Sequence, residues 1–293
     1  MKGVKNVLFY LFLLVHIACA EVEKKNTPAA DPGVLFPNMQ HFIKKKKLVV
    51  AIYAEDTPPF FYRDDDGETK GVDVDIATSI AKNIHPDIEV EVTRKPKTFN
   101  DVIDIVSRGE ADIGVSMLSY TTQRSRKVYY TKTPYINVRM ALLVSQLFIA
   151  HSGENPTLSN MFSKKNNRTL CVIEGSSYAE VASKVLPYAR LVFVKSSKDL
   201  LPSVKSGKCF AFFEDDQGIR KRLIKDPQLN LRYQMIVLKD ALDPINIVIG
   251  PKYPELAEFI ELMIKHTESL RFNLDDLLRK YKHTFTNNEV QSN

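Results

Sequence analysis

Short apolar runs rich in β-branched residues alternate with amphipathic stretches along most of the chain. The first apolar run covers residues 48–53, and apolar positions then recur with helical spacing over 73–84. The same patterns predict strands at 89–93 and 112–117 and a helix at 99–106. Gly109 follows that helix closely, as expected for a glycine that ends a helix. This half of the chain therefore alternates strand and helix.

The same series recurs in the second half of the chain. Its predicted elements are a strand at 168–173, a helix at 177–186, a strand at 191–195, a helix at 199–204 and a strand at 209–213. The helix-to-strand joints are alike, since Val106-Ser107-Arg108-Gly109 corresponds to Val204-Lys205-Ser206-Gly207. Alternating elements of this kind are typical of parallel sheets flanked by helices. Two copies predict an α/β fold with two lobes, each with its own mainly parallel sheet.

The chain continues past the second copy with a strand at 246–250 and helices at 254–271 and 274–281. Two lobes need a crossing near 138–145 and a return near 234–240, so we expect the C-terminal helices to pack on the first lobe. The predicted organisation is lobe one at 45–142 plus 241–283, lobe two at 143–240, and a loose tail at 284–293.

The N-terminus has the three parts of a secretory signal peptide. Lys2 and Lys5 precede a nine-residue apolar run over 7–15, and Ala18-Cys19-Ala20 supplies small residues for cleavage. We predict a signal peptide at 1–20, followed by a polar tether at 21–44. The alternatives are an uncut anchor and a lipid anchor at Cys19, although His16 occupies a position where a lipoprotein signal prefers an aliphatic residue.

Composition and charge narrow the choice of partner and cofactor. The 293 residues are 44% hydrophobic and carry a formal net charge of +6, which is spread along the chain. One dense run, Lys44-Lys45-Lys46-Lys47, lacks the interleaved aromatic residues of a nucleic-acid site. The six histidines are scattered without the spacing of metal ligands, so we predict no metal site. We also predict no cofactor and no nucleic-acid partner. Cys171 and Cys209 form either a disulfide or two buried thiols.

Several short motifs follow one another between residues 47 and 281. They are Pro59-Phe60 before Asp66-Gly67, Gly71-Val72-Asp73-Val74-Asp75-Ile76-Ala77, Gly109-Glu110-Ala111-Asp112, Ser119-Tyr120-Thr121-Thr122-Gln123-Arg124, Tyr130-Thr131 with Pro134-Tyr135, Gly175-Ser176-Ser177, and Gly207 with Asp215. This ordered set resembles the type II periplasmic binding proteins, specifically the extracellular solute-binding proteins of family 3 that serve polar amino-acid ABC transporters. The resemblance implies a monomer that closes on a small carboxylate-bearing ligand and delivers it to a membrane ABC permease.

The resemblance also implies ligand-binding residues in both halves of the chain. Arg124 matches the arginine that holds the ligand α-carboxylate in similar proteins. The planar, two-pronged guanidinium suits a carboxylate better than a lysine ammonium does. Ser119 and Thr121 lie at the carboxyl end of a strand, where open α/β sheets bind ligands. The alternatives are a surface arginine and ordinary turn capping for the two hydroxyls.

In the second half, Gly175, Ser176 and Ser177 open a helix whose free N–H groups attract anions. Ser177 is equally suited to be an N-cap. Asp215 matches the family aspartate that binds the ligand ammonium, and its neighbour Asp216 could serve instead. The alternative is that the acids in this segment are solvated loop residues without a binding role.

Three positions depart from the family pattern and affect the side-chain pocket. Ala54 and Thr57 stand where many amino-acid binders have an acidic residue and an aromatic residue, and Phe210 stands where an aspartate is expected. The candidate replacements in the pocket are Tyr53, Glu55 and Phe61. The departures leave the ligand class open between an amino acid and a related organic acid.

Two other functions are compatible with this scaffold, because fold alone does not determine function. A dehydratase similar to periplasmic cyclohexadienyl dehydratases would need a cleft acid, for which Glu55, Glu174 and Asp215 are candidates. An accessory or sensory protein for a periplasmic enzyme would use the same cleft without transport. Transport-linked binding, with no catalytic residue, is the function we predict.

Overall fold

The computed structural model describes residues 37–151 and 157–286. The predicted signal peptide and most of the predicted tether lie outside these residues. Residues 37–44, expected to belong to the tether, instead lie in a helix that spans Pro37–Lys45, because Met39 and Phe42 are apolar and face the core on successive turns.

The N-terminal half of the chain forms the first group of parallel strands, together with the helices and short strands around them. The elements in chain order are α1 (Pro37–Lys45), β1 (Lys47–Ala51), β2 (Tyr62–Arg63), β3 (Thr69–Lys70), α2 (Val72–Ile84), β4 (Glu89–Thr93), α3 (Phe99–Arg108), β5 (Ile113–Ser119) and β6 (Tyr129–Tyr130). The parallel strands of this group are β1, β4 and β5. β1 pairs in parallel with both β4 and β5, as the alternating pattern predicts. Thr98 and Asp101 form a capping box at the start of α3, and Gly109 ends it with a φ of 76°.

The second parallel group follows a long crossing strand. The elements are β7 (Ile136–Ser145), α4 (Gln146–His151), α5 (Leu158–Met161), β8 (Thr169–Ile173), α6 (Tyr178–Val185), β9 (Arg190–Val194), α7 (Leu200–Lys205), β10 (Ala211–Asp215) and α8 (Asp216–Lys225). β8 pairs in parallel with β9 and β10. A disulfide joins Cys171 and Cys209, whose Cα atoms are 5.7 Å apart, so the disulfide alternative is the one observed.

The chain returns through a second crossing strand. The remaining elements are β11 (Tyr233–Ile249), α9 (Pro254–His266), α10 (Leu274–Lys280) and α11 (His283–Thr286). β11 pairs antiparallel with β7 from Tyr233 opposite Ser145 to Ile245 opposite Ile136. The strand order β4-β1-β5-β11-β7-β10-β8-β9 shows that the crossings join the two groups in one continuous sheet, where we predicted separate sheets. The α/β class and the two crossings are confirmed, and the lobe boundaries remain predictions.

The C-terminal helices divide between the two groups. α9 packs on α1 and β11, as expected, but α10 and α11 contact α8 of the second group. Arg220 of α8 forms an ion pair with Asp275 of α10 at 3.0 Å. Residues 284–286, predicted as part of a loose tail, lie in α11. None of the helices within 37–151 and 157–286 has the length and apolar character needed to cross a membrane.

Candidate functional site

A cavity of about 290 Å³ lies between the two groups of parallel strands, where β5, β8 and β10 end. Its walls come from both sides of the cleft. The first group contributes Tyr53, Glu55, Asp56, Phe99, Met117, Ser119 and Arg124. The second group contributes Ile173, Ser176, Ser177, Tyr178, Glu214, Asp215, Gln217 and Lys221. This volume is close to the lower end of the range typical of small-molecule sites, so the cavity suits a compact ligand.

Arg124 is buried at the cleft and is held by three uncharged acceptors. Its Nε donates to Asn100 Oδ1 at 3.0 Å, one terminal nitrogen donates to the Ser119 carbonyl at 3.2 Å, and the other donates to the Gly175 carbonyl at 3.1 Å. Across the described part of the chain, no carboxylate forms an ion pair with this guanidinium. Burial lowers its pKa from the usual value, because removal from water disfavours the charged form, while the nearby Asp243 carboxyl acts in the opposite direction.

A chain of hydrogen bonds connects the second group to a crossing strand. The Ser177 hydroxyl donates to Ser119 Oγ at 2.8 Å, and Ser119 Oγ donates to Asp243 Oδ2 at 2.6 Å. All three residues are buried. Together with the bond from Arg124 to Gly175, this chain joins the two walls of the cavity directly.

Burial raises the pKa of the Asp243 carboxyl to about 6, above its ordinary 3.8. The folded protein therefore keeps this proton over a pH range in which the unfolded chain has lost it. The contribution of Asp243 to stability should then fall as pH rises from about 4 to about 6. We expect the free energy of unfolding of the ligand-free Asp243→Asn variant to increase relative to that of the unmutated protein over that range. Urea unfolding at closely spaced pH values tests this, and parallel curves would contradict it.

Asp215 lies at the N-terminus of α8 and faces the cavity. Its Oδ1 accepts the Gly218 backbone N–H at 2.7 Å, and its Oδ2 accepts the Tyr178 hydroxyl at 2.5 Å. Its neighbour Asp216 instead accepts the Arg139 backbone N–H and forms an ion pair with Arg220, so it does not line this cavity. The geometry thus distinguishes the two acids that the sequence left as alternatives.

Met117 forms part of the first wall in a strained backbone conformation. Its φ is 49°, and the pairing of β5 with β11 is irregular nearby, between Asn246 and Val248. The fully buried Asp73 accepts the Met117 backbone N–H at 3.2 Å and the Tyr135 hydroxyl at 3.0 Å. Burial raises the pKa of Asp73 to about 8. This buried carboxyl therefore holds the cavity wall in place from behind.

The residues predicted from the sequence do not all reach the cavity. Arg124, Ser119, Ser176, Ser177, Asp215, Tyr53 and Glu55 line it. Thr121 instead caps Arg124, whose backbone N–H donates to Thr121 Oγ1 at 3.1 Å, and Gly175 contributes a carbonyl to the same arginine.

Phe61 was placed wrongly in the pocket. It is fully buried in the core, where the Arg94 guanidinium lies 5.5 Å from its ring. Glu174, one of the acids considered for a dehydratase, is exposed and does not line the cavity.

Several polar residues of the site were not predicted, among them Tyr178, Gln217, Lys221 and Asp243. Tyr178 directly follows the Gly175-Ser176-Ser177 motif, and Asp243 is an acid in a crossing strand, so both had a weak local signal. Gln217 and Lys221 lie in α8, a short polar helix for which no apolar stripe is evident in the sequence.

The family model of the bacterial extracellular solute-binding proteins, family 3, matches residues 48–284. A glutamine-binding protein of Geobacillus stearothermophilus is 23% identical over 184 residues, which are 63% of this chain and 66% of that protein. ABC transporter arginine-binding protein 1 of Escherichia coli is 22% identical over 61% of this chain and 68% of that protein. The chain thus spans about two thirds of the length of these relatives.

Solved structures share the fold. The substrate-binding protein AbpA of Streptococcus pneumoniae, bound to L-arginine, has a TM-score of 0.65 and 24% identity, and the match covers 84% of this chain and 99% of that one. An ancestral amino-acid-binding protein, a precursor of cyclohexadienyl dehydratase, has a TM-score of 0.64 and 22% identity, covering 83% and 98%. The predicted type II periplasmic-binding-protein fold is confirmed.

Proposed function

Because the chain belongs to the bacterial extracellular solute-binding proteins of family 3, we propose that it is an exported protein that binds an amino acid between its lobes. The observation that carries this proposal is Arg124, a buried cation in the cleft whose hydrogen-bond partners are all uncharged. A ligand α-carboxylate supplies the missing counter-ion. Asp215, on the opposite wall, then receives the α-ammonium.

The contacts between the two walls support binding by closure. Arg124 and Ser119 of the first lobe bond directly to Gly175 and Ser177 of the second. A ligand that touches both walls stabilises the closed form over the open one, and the crossing strands β7 and β11 are the hinge. In this proposal the closed protein is a monomer that delivers its ligand to a membrane ABC permease.

The relatives support transport rather than catalysis, since their names describe glutamine and arginine binding. Of the acids considered for a dehydratase, Glu174 lies outside the cavity, whereas Glu55 and Asp215 both line it and Asp215 is assigned to the ligand ammonium. We therefore propose binding without turnover. Export is directed by the signal peptide proposed at 1–20, with cleavage preferred over a lipid anchor at Cys19.

Titration calorimetry with the twenty L-amino acids and their methyl esters tests the proposal. We expect at least one free amino acid to bind and its ester to bind tenfold or more weakly, because a neutral ester cannot balance the Arg124 charge. Equal affinity for acid and ester would contradict carboxylate recognition, and absence of binding by every amino acid would contradict the proposed function.

A further inference from the structure

The side chain of Gln217 has an unsatisfied donor in the wall of the cavity. The residue is 1% exposed and lines the cavity near the start of α8. Its Nε2 has no hydrogen-bond partner among the residues that the structure describes. Buried amide donors are rarely left without an acceptor in native proteins. A ligand acceptor at this position completes the site.

Lys221 lies one helical turn after Gln217, so the two side chains share a face of α8. Its Nζ donates to the Pro58 carbonyl of the opposite wall at 2.8 Å. No ion pair to this ammonium is formed by any carboxylate within 37–151 and 157–286. Burial lowers the pKa of Lys221 to about 8, as expected for a cation that lacks a counter-ion.

Two of the acids lining the cavity already have cationic partners. Asp56 is paired with Arg94 at 2.8 Å and with Arg63 at 3.3 Å. Glu214 is paired with Arg222 and also accepts the Ser197 hydroxyl at 2.7 Å. These carboxylates are therefore not available to a cationic ligand.

The other two acids that line the cavity are Asp215 and Glu55. Of these two, only Asp215 lies on the α8 wall, so past Asp215 the described part of that wall carries no unpaired carboxylate toward the cavity. Asp215 receives the ligand ammonium under the proposed function. Glu55 lies on the opposite wall beside Tyr53, and its charge contributes to raising the pKa of the Tyr53 hydroxyl after burial itself. Past Asp215, the face of α8 toward the cavity presents the donors of Gln217 and Lys221.

We propose that the cavity selects an α-amino acid whose side chain ends in a carboxylate, which Gln217 Nε2 and Lys221 Nζ bind together. The inference rests on the proposed function, since Arg124 and Asp215 must first fix the α-carboxylate and α-ammonium. An ammonium or guanidinium side chain meets two donors and a like charge there, so cationic amino acids are disfavoured.

The test is titration calorimetry of the purified chain with L-glutamate, L-aspartate, L-glutamine, L-norleucine and L-lysine. L-Glutamate or L-aspartate should bind at least tenfold more tightly than the other three. Gln217→Met and Lys221→Met should each weaken that binding about tenfold. Lys221→Met should also remove most of the preference over L-glutamine, because the neutral amide does not need the ammonium charge. Lys184→Met, an exposed lysine of α6, is the control and should change nothing.

The outcomes separate this inference from the proposed function. Tightest binding of L-lysine or L-norleucine, or an unchanged preference in Lys221→Met, overturns the acidic side-chain site while amino-acid binding stands. Loss of all binding in Lys221→Met together with a lower melting temperature points to a structural role and also overturns it. Absence of binding by every amino acid removes the proposed function and this inference with it.

Discussion

Replacement of Arg124 by methionine is expected to lower amino-acid affinity about 100- to 1,000-fold. Loss of one partner from a buried, charge-assisted contact costs about 3–4 kcal/mol, because the ligand carboxylate would be left without a counter-ion. Arg124 also donates to Gly175 across the cleft, so the variant loses a contact that favours closure as well. Calorimetry with the amino acid that binds the unmutated protein most tightly measures the effect.

Two further variants make the Arg124 experiment specific. Arg126→Met removes an exposed arginine from the same 3-10 helix, Arg124–Arg126, and should leave affinity unchanged. Arg124→Lys keeps the charge but loses the planar fork, so it should recover only part of the lost affinity. Equal loss in the Arg124 and Arg126 variants would mean that general surface charge, rather than one guanidinium, attracts the ligand.

The repeated strand–helix units could be predicted because their signals are local. Gly109 and Gly207 end α3 and α7 with φ values of 76° and 75°, a conformation that glycine adopts at little cost. The apolar stripes of α2 and α3 are equally local, since each faces the sheet directly beside it. The repeat of strand–helix units in the two halves could therefore be predicted from helix-ending glycines and apolar stripes, which act in the same way in each lobe.

The helices at the cleft could not be predicted in the same way. The first turn of α8 buries Asp216, Gln217 and Gly218, which are polar or small and give no apolar stripe. Their burial depends on the opposite wall and on α10 and α11, which are remote in sequence. The pocket prediction for Phe61 was wrong for the converse reason: an apolar residue beside a pocket motif was buried in the core instead of in the site.

The same limit explains why the carboxylate end of the site was easier to anticipate than the side-chain end. Ser119 and Asp215 each end a strand, and Arg124 begins the short 3-10 helix that follows β5, so the pattern of elements defines all three positions. Gln217 and Lys221 become site residues only when α8 meets Pro58 across the cleft. Contacts between lobes are therefore the part of the site that requires the structure.

Gly175→Ala is expected to weaken ligand binding about 100-fold by preventing full closure. A Cβ at this position would lie 2.8 Å from the Cβ of Thr98 on the opposite lobe, well inside van der Waals contact. Thr98 is held by its capping box at the start of α3, so it cannot move aside freely. Overpacking of this severity costs about 3 kcal/mol, and it does so only where the lobes touch. Calorimetry gives the affinity, and small-angle scattering with saturating ligand should show a larger radius of gyration.

Gly207→Ala separates this clash from ordinary backbone strain. Gly207 has a φ of 75°, close to the 69° of Gly175, but a Cβ there would have no atom within 4 Å. Both variants therefore lose similar stability, and only Gly175→Ala loses affinity. Thr98→Gly in the Gly175→Ala background removes the opposing Cβ and keeps an acceptable N-cap, so most of the affinity should return. Equal affinity in the two alanine variants, or no recovery in the double variant, would show that the Gly175 turn does not limit closure.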